Sequence, residues 1–106
     1  MQTTHAALDA ALMRCGAKQA TAVLQVVANE NRLLLLCQLT QGEASVGELE
    51  EALDIHQPTL SQQLGVLRTE GLVDTRREGK NIYYSVADPA AMEVLAVLYR
   101  LYCPQE

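Results

Sequence analysis

The chain has 106 residues, 49% of them hydrophobic and 20% charged, with a net charge of −5. That size suits one domain around one core, and the balance is globular rather than disordered. The acidic total excludes unspecific nucleic-acid binding as a property of the whole surface. No apolar run approaches the about 18 residues a membrane span needs. The opening MQTTHAALDAALMRCGAKQA has no secretory core, so a bacterial-type cytoplasmic protein is expected.

Residues 4–28 are alanine-rich, and Ala20, Val23, Leu24 and Val27 recur at helical spacing. A helix is predicted there, broken or bent at Gly16. Asn29 or Asn31 caps a second helix, RLLLLCQLTQ, which stops at Gly42. It is apolar almost all round and is therefore buried on more than one side. Ser45 and Glu48 form a capping box ahead of a third helix, VGELEEAL. Pro58 suits the first turn of a fourth helix, with Leu60, Leu64 and Leu67 inward and Gly71 at its end. Two short helices joined so closely make a helix-turn-helix.

On the fourth helix Gln62 points away from the leucine stripe, Thr59 and Ser61 flank it, and Gln57 stands at the start. Short polar side chains at that end of a helix can read base edges in a major groove. After Val73 the period changes to two: Ile82, Tyr84 and Val86 alternate with Tyr83 and Ser85 around a turn at Gly79. This hairpin reads as a wing whose Arg76, Arg77 and Lys80 meet phosphate or the minor groove. Residues 56–80 carry a net charge of +1, against −4 before them and −2 after them. The candidate DNA-binding set is thus Gln57, Thr59, Ser61, Gln62, Gln63, Arg68, Arg76, Arg77 and Lys80. Asp88 caps a final helix from Pro89, with Met92, Leu95, Tyr99 and Tyr102 on one stripe and Leu98 beside it.

The predicted architecture is mainly α with a β-hairpin wing: four helices, two strands and a last helix, in one winged helix-turn-helix domain over residues 1–106. The end helices, about 4–28 and 89–103, hold more apolar residues than one small chain can cover. A homodimer through them is the economical solution, and it sets two reading helices about one turn of palindromic DNA apart. Each piece alone also reads blandly, the polar face as solvated surface and the hairpin as packing; their order carries the inference. Three cysteines at wide spacing, Cys15, Cys37 and Cys103, make neither a disulfide scaffold nor a CxxC site. With no cofactor motif either, no enzyme, resident metal or cofactor is expected. His5 reads as a tail residue and His56 as a turn residue.

The runs NENRLLLLCQL, SVGELEEAL, QPTLSQQLGVLRTEGLV and TRREGKNIYYSV resemble the ArsR/SmtB family of small dimeric repressors, across nearly the whole length. The resemblance implies a repressor that leaves double-stranded operator DNA when a ligand or oxidant acts away from the reading helix. Thiolate metal sensors of the family carry a Cys-x-Cys pair in the third helix, where this chain has SVGELEEAL and no thiol. Zinc sensors use Asp and His along the last helix, and here Asp88 has no histidine after it. The pair Cys37 and Cys103, in LLLLCQL and LYRLYC, resembles the persulfide-sensing branch of BigR/SqrR type and the related HlyU-type regulators. In that branch reactive sulfur species bridge two reduced thiols, and the operator of sulfide or persulfide detoxification genes is released. The rival within the family is a metal- or arsenite-responsive repressor with thiolate ligands. Cys15 is read as incidental.

Overall fold

The computed structural model describes residues 9–103. The elements run α1 (Ala10–Val27), α2 (Glu30–Leu39), β1 (Ala44–Ser45), α3 (Val46–Leu53), α4 (Thr59–Thr69), β2 (Val73–Glu78), β3 (Asn81–Val86) and α5 (Pro89–Tyr102). The fold is the winged helix-turn-helix that the sequence predicts. The expected start of the first helix at residue 4, and His5, lie outside the described residues.

Local chemistry sets most boundaries. Asp9 caps α1 by accepting from the Ala11 amide at 2.7 Å, and Asn29, not Asn31, caps α2 through the Arg32 amide at 3.0 Å. Ser45 and Glu48 close the predicted capping box, at 2.8 and 3.2 Å. Asp88 accepts from the Ala90 amide at 3.0 Å, with Pro89 at the first helical position. The helix α3 ends on Asp54 at φ 56°, a left-handed stop that aspartate tolerates better than most residues. In the wing turn Gly79 has φ 63°, where a side chain would be strained.

Two features differ from expectation, and a third divides a predicted stripe. The helix α1 runs unbroken through Gly16, because one exposed glycine costs only about 1 kcal/mol among strong helix formers. A third strand, β1, pairs with β3 through Ala44–Tyr84 and Ser45–Tyr83, giving a sheet in the order β1-β3-β2. Two residues are too few to show a period, so the sequence hides this strand. On α5 the inward residues are Ala91 and Leu95, while Met92, Tyr99 and Tyr102 face outward. Met92 and Tyr99 sit on the shoulder of the inward stripe, and Tyr102 stands past the end of the core.

The core joins Leu35, Leu36 and Leu39 of α2 to Leu49 of α3, Leu60, Leu64 and Leu67 of α4, and Leu95 of α5. Tyr84 and Val86 pack against it from the wing, as their alternation predicts. By contrast, α1 meets the core only near its end, through buried Val26 and Val27 and half-buried Val23, leaving Leu12, Met13 and Leu24 exposed.

Candidate functional site

The helix α4 lies on the leucine core and turns its polar side outward, with Ser61, Gln62 and Arg68 exposed and Thr59 half-buried. Two other members of the predicted set are engaged within the protein. The Gln57 side-chain oxygen accepts from the Ser61 amide at 3.1 Å, satisfying a donor that the first turn of α4 leaves open. Half-buried Gln63 accepts from Arg32 Nη1 at 2.8 Å. Gln62 makes no such internal contact among the described residues, and it stands at the centre of the outward face.

The wing sorts its basic residues by strand parity. Arg76 lies opposite Tyr83 and Arg77 opposite Ile82, so the two arginines point to opposite faces of the hairpin. Arg76 reaches across β3 with its guanidinium 4.8 Å from the centre of the Tyr83 ring, an attractive cation–π geometry. Beyond that ring it binds Glu43, just before β1, through both ends of the guanidinium, with Nε at 3.2 Å. Its Nη1 also lies 3.4 Å from Glu78. The Arg76 bond holds the Glu43 carboxyl below its ordinary range, and Glu43 raises Arg76 in turn. One cation thus spans all three strands and is matched by two carboxylates. Arg77 and Lys80 are exposed near the tip and form no ion pair among the described residues.

Away from this face, Cys37 and Cys103 line one cleft of about 350 Å³, together with Glu30, Leu33, Leu34, Gln38, Gln41, Leu53 and Tyr99. The α2 helix presents Cys37 half-buried on the flank of its leucine stripe. Cys103 is the C-cap of α5, in extended backbone, with its amide donating to Tyr99. Burial pushes the Cys37 thiol up, and the neighbouring Cys103 pushes it the same way. Residues remote in sequence therefore share a cleft whose surroundings disfavour the Cys37 thiolate. Cys15 is apart from them, exposed on α1.

His56 sits in the turn between α3 and α4, as expected. Its Nδ1 meets Glu50 at 3.0 Å and its Nε2 meets Asp54 at 2.7 Å. Glu50 first and Asp54 second raise its pKa. The two carboxylates approach opposite ring nitrogens, which suits a bridged imidazolium better than a chelated ion. No group of three or more metal-ligating side chains occurs among the described residues, and none of their helices is long and apolar enough to cross a membrane. The roles of Arg32 and Glu43 escape a sequence reading, because each contacts a side chain more than thirty positions away.

Residues 29–75 match the model of the arsR family of bacterial regulatory proteins. The chain is 55% identical over 92 residues to the biofilm growth-associated repressor of Agrobacterium fabrum, covering 84% of this chain and 79% of that protein. It is 41% identical over 91 residues to the transcriptional activator HlyU of Vibrio cholerae, covering 86% and 84%. Among solved structures, the transcriptional repressor BigR from Xylella fastidiosa superposes with a TM-score of 0.84 at 43% identity, over 92% of this chain and 100% of that one. Reduced HlyU from Vibrio cholerae gives a TM-score of 0.83 at 40% identity, over 87% and 97%. With a helix-turn-helix, a basic-tipped wing and relatives of this kind, the chain belongs to the arsR family: it is a transcriptional regulator and not an enzyme.

Proposed function

We propose that this protein is a dithiol-switched repressor. The reduced homodimer, joined through α1 and α5, binds palindromic operator DNA with α4 in the major groove and the wing on the backbone. Reactive sulfur species bridge Cys37 to Cys103 by a disulfide or polysulfide, and the dimer leaves the operator of sulfide or persulfide detoxification genes. The observation that carries this reading is the cleft in which Cys37 and Cys103 meet, lined by Leu33, Leu34, Leu53 and Tyr99. The dimer is supported by the exposed apolar residues of the end helices, Leu12, Met13 and Leu24 on α1 and Val97, Leu101 and Tyr102 on α5. It is also supported by a relative solved as a homodimeric winged helix-turn-helix domain.

The thiols divide the chemistry. Burial disfavours the Cys37 thiolate, so Cys103, at the helix end, makes the first attack. Its thiolate takes a sulfane sulfur from a polysulfide, and the shortened polysulfide leaves with the displaced electron pair. Cys37 then gives its proton to solvent and attacks Cys103 Sγ itself, which breaks the Sγ–S bond, releases the outer sulfur as hydrosulfide and closes a disulfide. If Cys103 carries a longer sulfur chain, attack further along it retains sulfur in the bridge. The apolar wall limits water at this step and protects the persulfide from over-oxidation.

Release of DNA requires that the two states bind it differently, and couplings of about 1–3 kcal/mol are usual. Operator affinity of the wild type should therefore fall about 5- to 150-fold on polysulfide treatment. Cys37→Ser and Cys103→Ser should bind operator when untreated and ignore polysulfide. A mutant that still dissociates as the wild type does would end this mechanism. Intact mass separates the rival reading, since a disulfide loses two hydrogens and a polysulfide bridge gains sulfur in single-atom steps, whereas arsenite or cadmium gives a metal adduct.

A further inference from the structure

The helices α2 and α4 share the leucine core, and apolar burial is non-directional. It holds the two helices together and turns the leucine stripe of α4 inward, but it leaves the fine pose of α4 to directional contacts. Arg32 supplies a direction. Its Nε donates to the Val26 carbonyl at 2.6 Å and its Nη1 donates to Gln63 Oε1 at 2.8 Å. One half-buried guanidinium thereby joins the last turn of α1, the first turn of α2 and the middle of α4. Among the described residues, its bond to Gln63 is the only side-chain hydrogen bond between α2 and α4.

Both bonds are charge-assisted, and the planar guanidinium fork holds its two acceptors at a fixed mutual angle. The Val26 carbonyl lies in the last helical turn, where carbonyls lack a partner within the helix, and a cation there also opposes the negative helix end. Chemistry fixes the orientation of the Gln63 amide, because only its oxygen can accept from a guanidinium. With that oxygen held by Arg32 toward α2, Gln63 is poorly placed for the bidentate pair with adenine, which needs its acceptor and donor side by side at the base edge.

We propose that Arg32 is a positioning residue that sets the pose of the recognition helix against α1 and α2. Gln63 is its receiver, not an independent base reader. Cys37 follows Arg32 by five residues on the same helix, about 7.5 Å along the axis. A bridge that turns or shifts α2 therefore pulls directly on Gln63. This coupling rests on the thiol-switch reading; the positioning role does not.

The test is a double-mutant cycle on the reduced dimer, read by operator binding and by its salt dependence. Arg32→Lys keeps the charge but cannot serve both acceptors, and Gln63→Met keeps the length but cannot accept. Each should weaken operator binding about tenfold, and the double variant should lose no more, because both remove one bond. The salt slope should stay at the wild-type value, and Gln62→Ala should add its own loss to either. Additive losses of about a hundredfold would overturn the proposal, as would a slope reduced by the neutral Arg32→Gln, since Gln63 or Arg32 would then touch DNA itself. Gln63→Met alters a half-buried helix flank without placing a charge there and keeps the test decisive if Arg32→Lys fails to fold: altered base preference with full affinity refutes the positioning role. A second arm compares reduced and polysulfide-treated protein. If wild type responds and folded Arg32→Lys responds equally, the coupling fails. If wild type itself does not respond, the thiol switch fails while the cycle still decides the positioning role.

Discussion

The two wing arginines stand next to each other in sequence, yet the structure predicts opposite salt behaviour for them. Each phosphate that a protein neutralises contributes about 0.9 to the slope of log affinity against log salt. Arg77 is exposed near the tip without an ion pair among the described residues, so Arg77→Ala in the proposed dimer removes two phosphate contacts. Its slope should be shallower by about 1.8, and between about 50 and 200 mM salt the variant should lose about 12-fold less affinity than wild type. Arg76 is already matched by Glu43 and Glu78 and laid over Tyr83. Arg76→Ala should therefore weaken binding by loosening the sheet and leaving two carboxylates uncompensated, with a slope close to wild type. Fluorescence anisotropy of a labelled operator duplex, titrated across that salt range, reads both quantities. If Arg76→Ala flattens the slope as much as Arg77→Ala, Arg76 leaves its carboxylates for phosphate in the complex and is not committed to the sheet.

Three other outcomes follow from the same geometry. Gln62→Ala should erase discrimination at one base position, about 1–3 kcal/mol between right and wrong base, with an unchanged salt slope in the same titrations. Leu95, 1% exposed, is the deepest large side chain of α5. Leu95→Ala should cost about 3 kcal/mol in urea denaturation and slow the Cys37–Cys103 cross-link measured by mass spectrometry. Glu50 and Asp54 raise the pKa of His56, so their stabilising contribution is complete below the ordinary histidine pKa and is lost as pH rises through the raised value. His56→Gln should then be less stable than wild type at about pH 5.5 and equal to it at about pH 9, read from urea midpoints.

The sequence exposes what periodicity and capping determine. The leucines of α2 and α4, the Ser45–Glu48 box, the Asp88–Pro89 start and the alternating wing all follow from spacings within a few residues. The winged fold could be read from them, and the family likeness rested on the same segments. What stayed hidden is chemistry between distant segments. Nothing around Arg32 announces Gln63, and nothing around Arg76 announces Glu43, so both glutamine and arginine read as free DNA contacts. The division of the α5 stripe was hidden for a different reason. An apolar face seen on a helical wheel does not say where along the helix the core ends.

The position of Cys103 has a further consequence. A bridge from the C-cap of α5 back to Cys37 would close a covalent loop of about 66 residues, more than half the chain. On the chain-entropy model a loop of that length removes about 4 kcal/mol of freedom from the unfolded ensemble. In the proposed switch, the form that has let go of DNA would then be the hardier one. Sulfur exposure would not spend the regulator but store it, and reduction alone would return the same molecules to the operator without new synthesis.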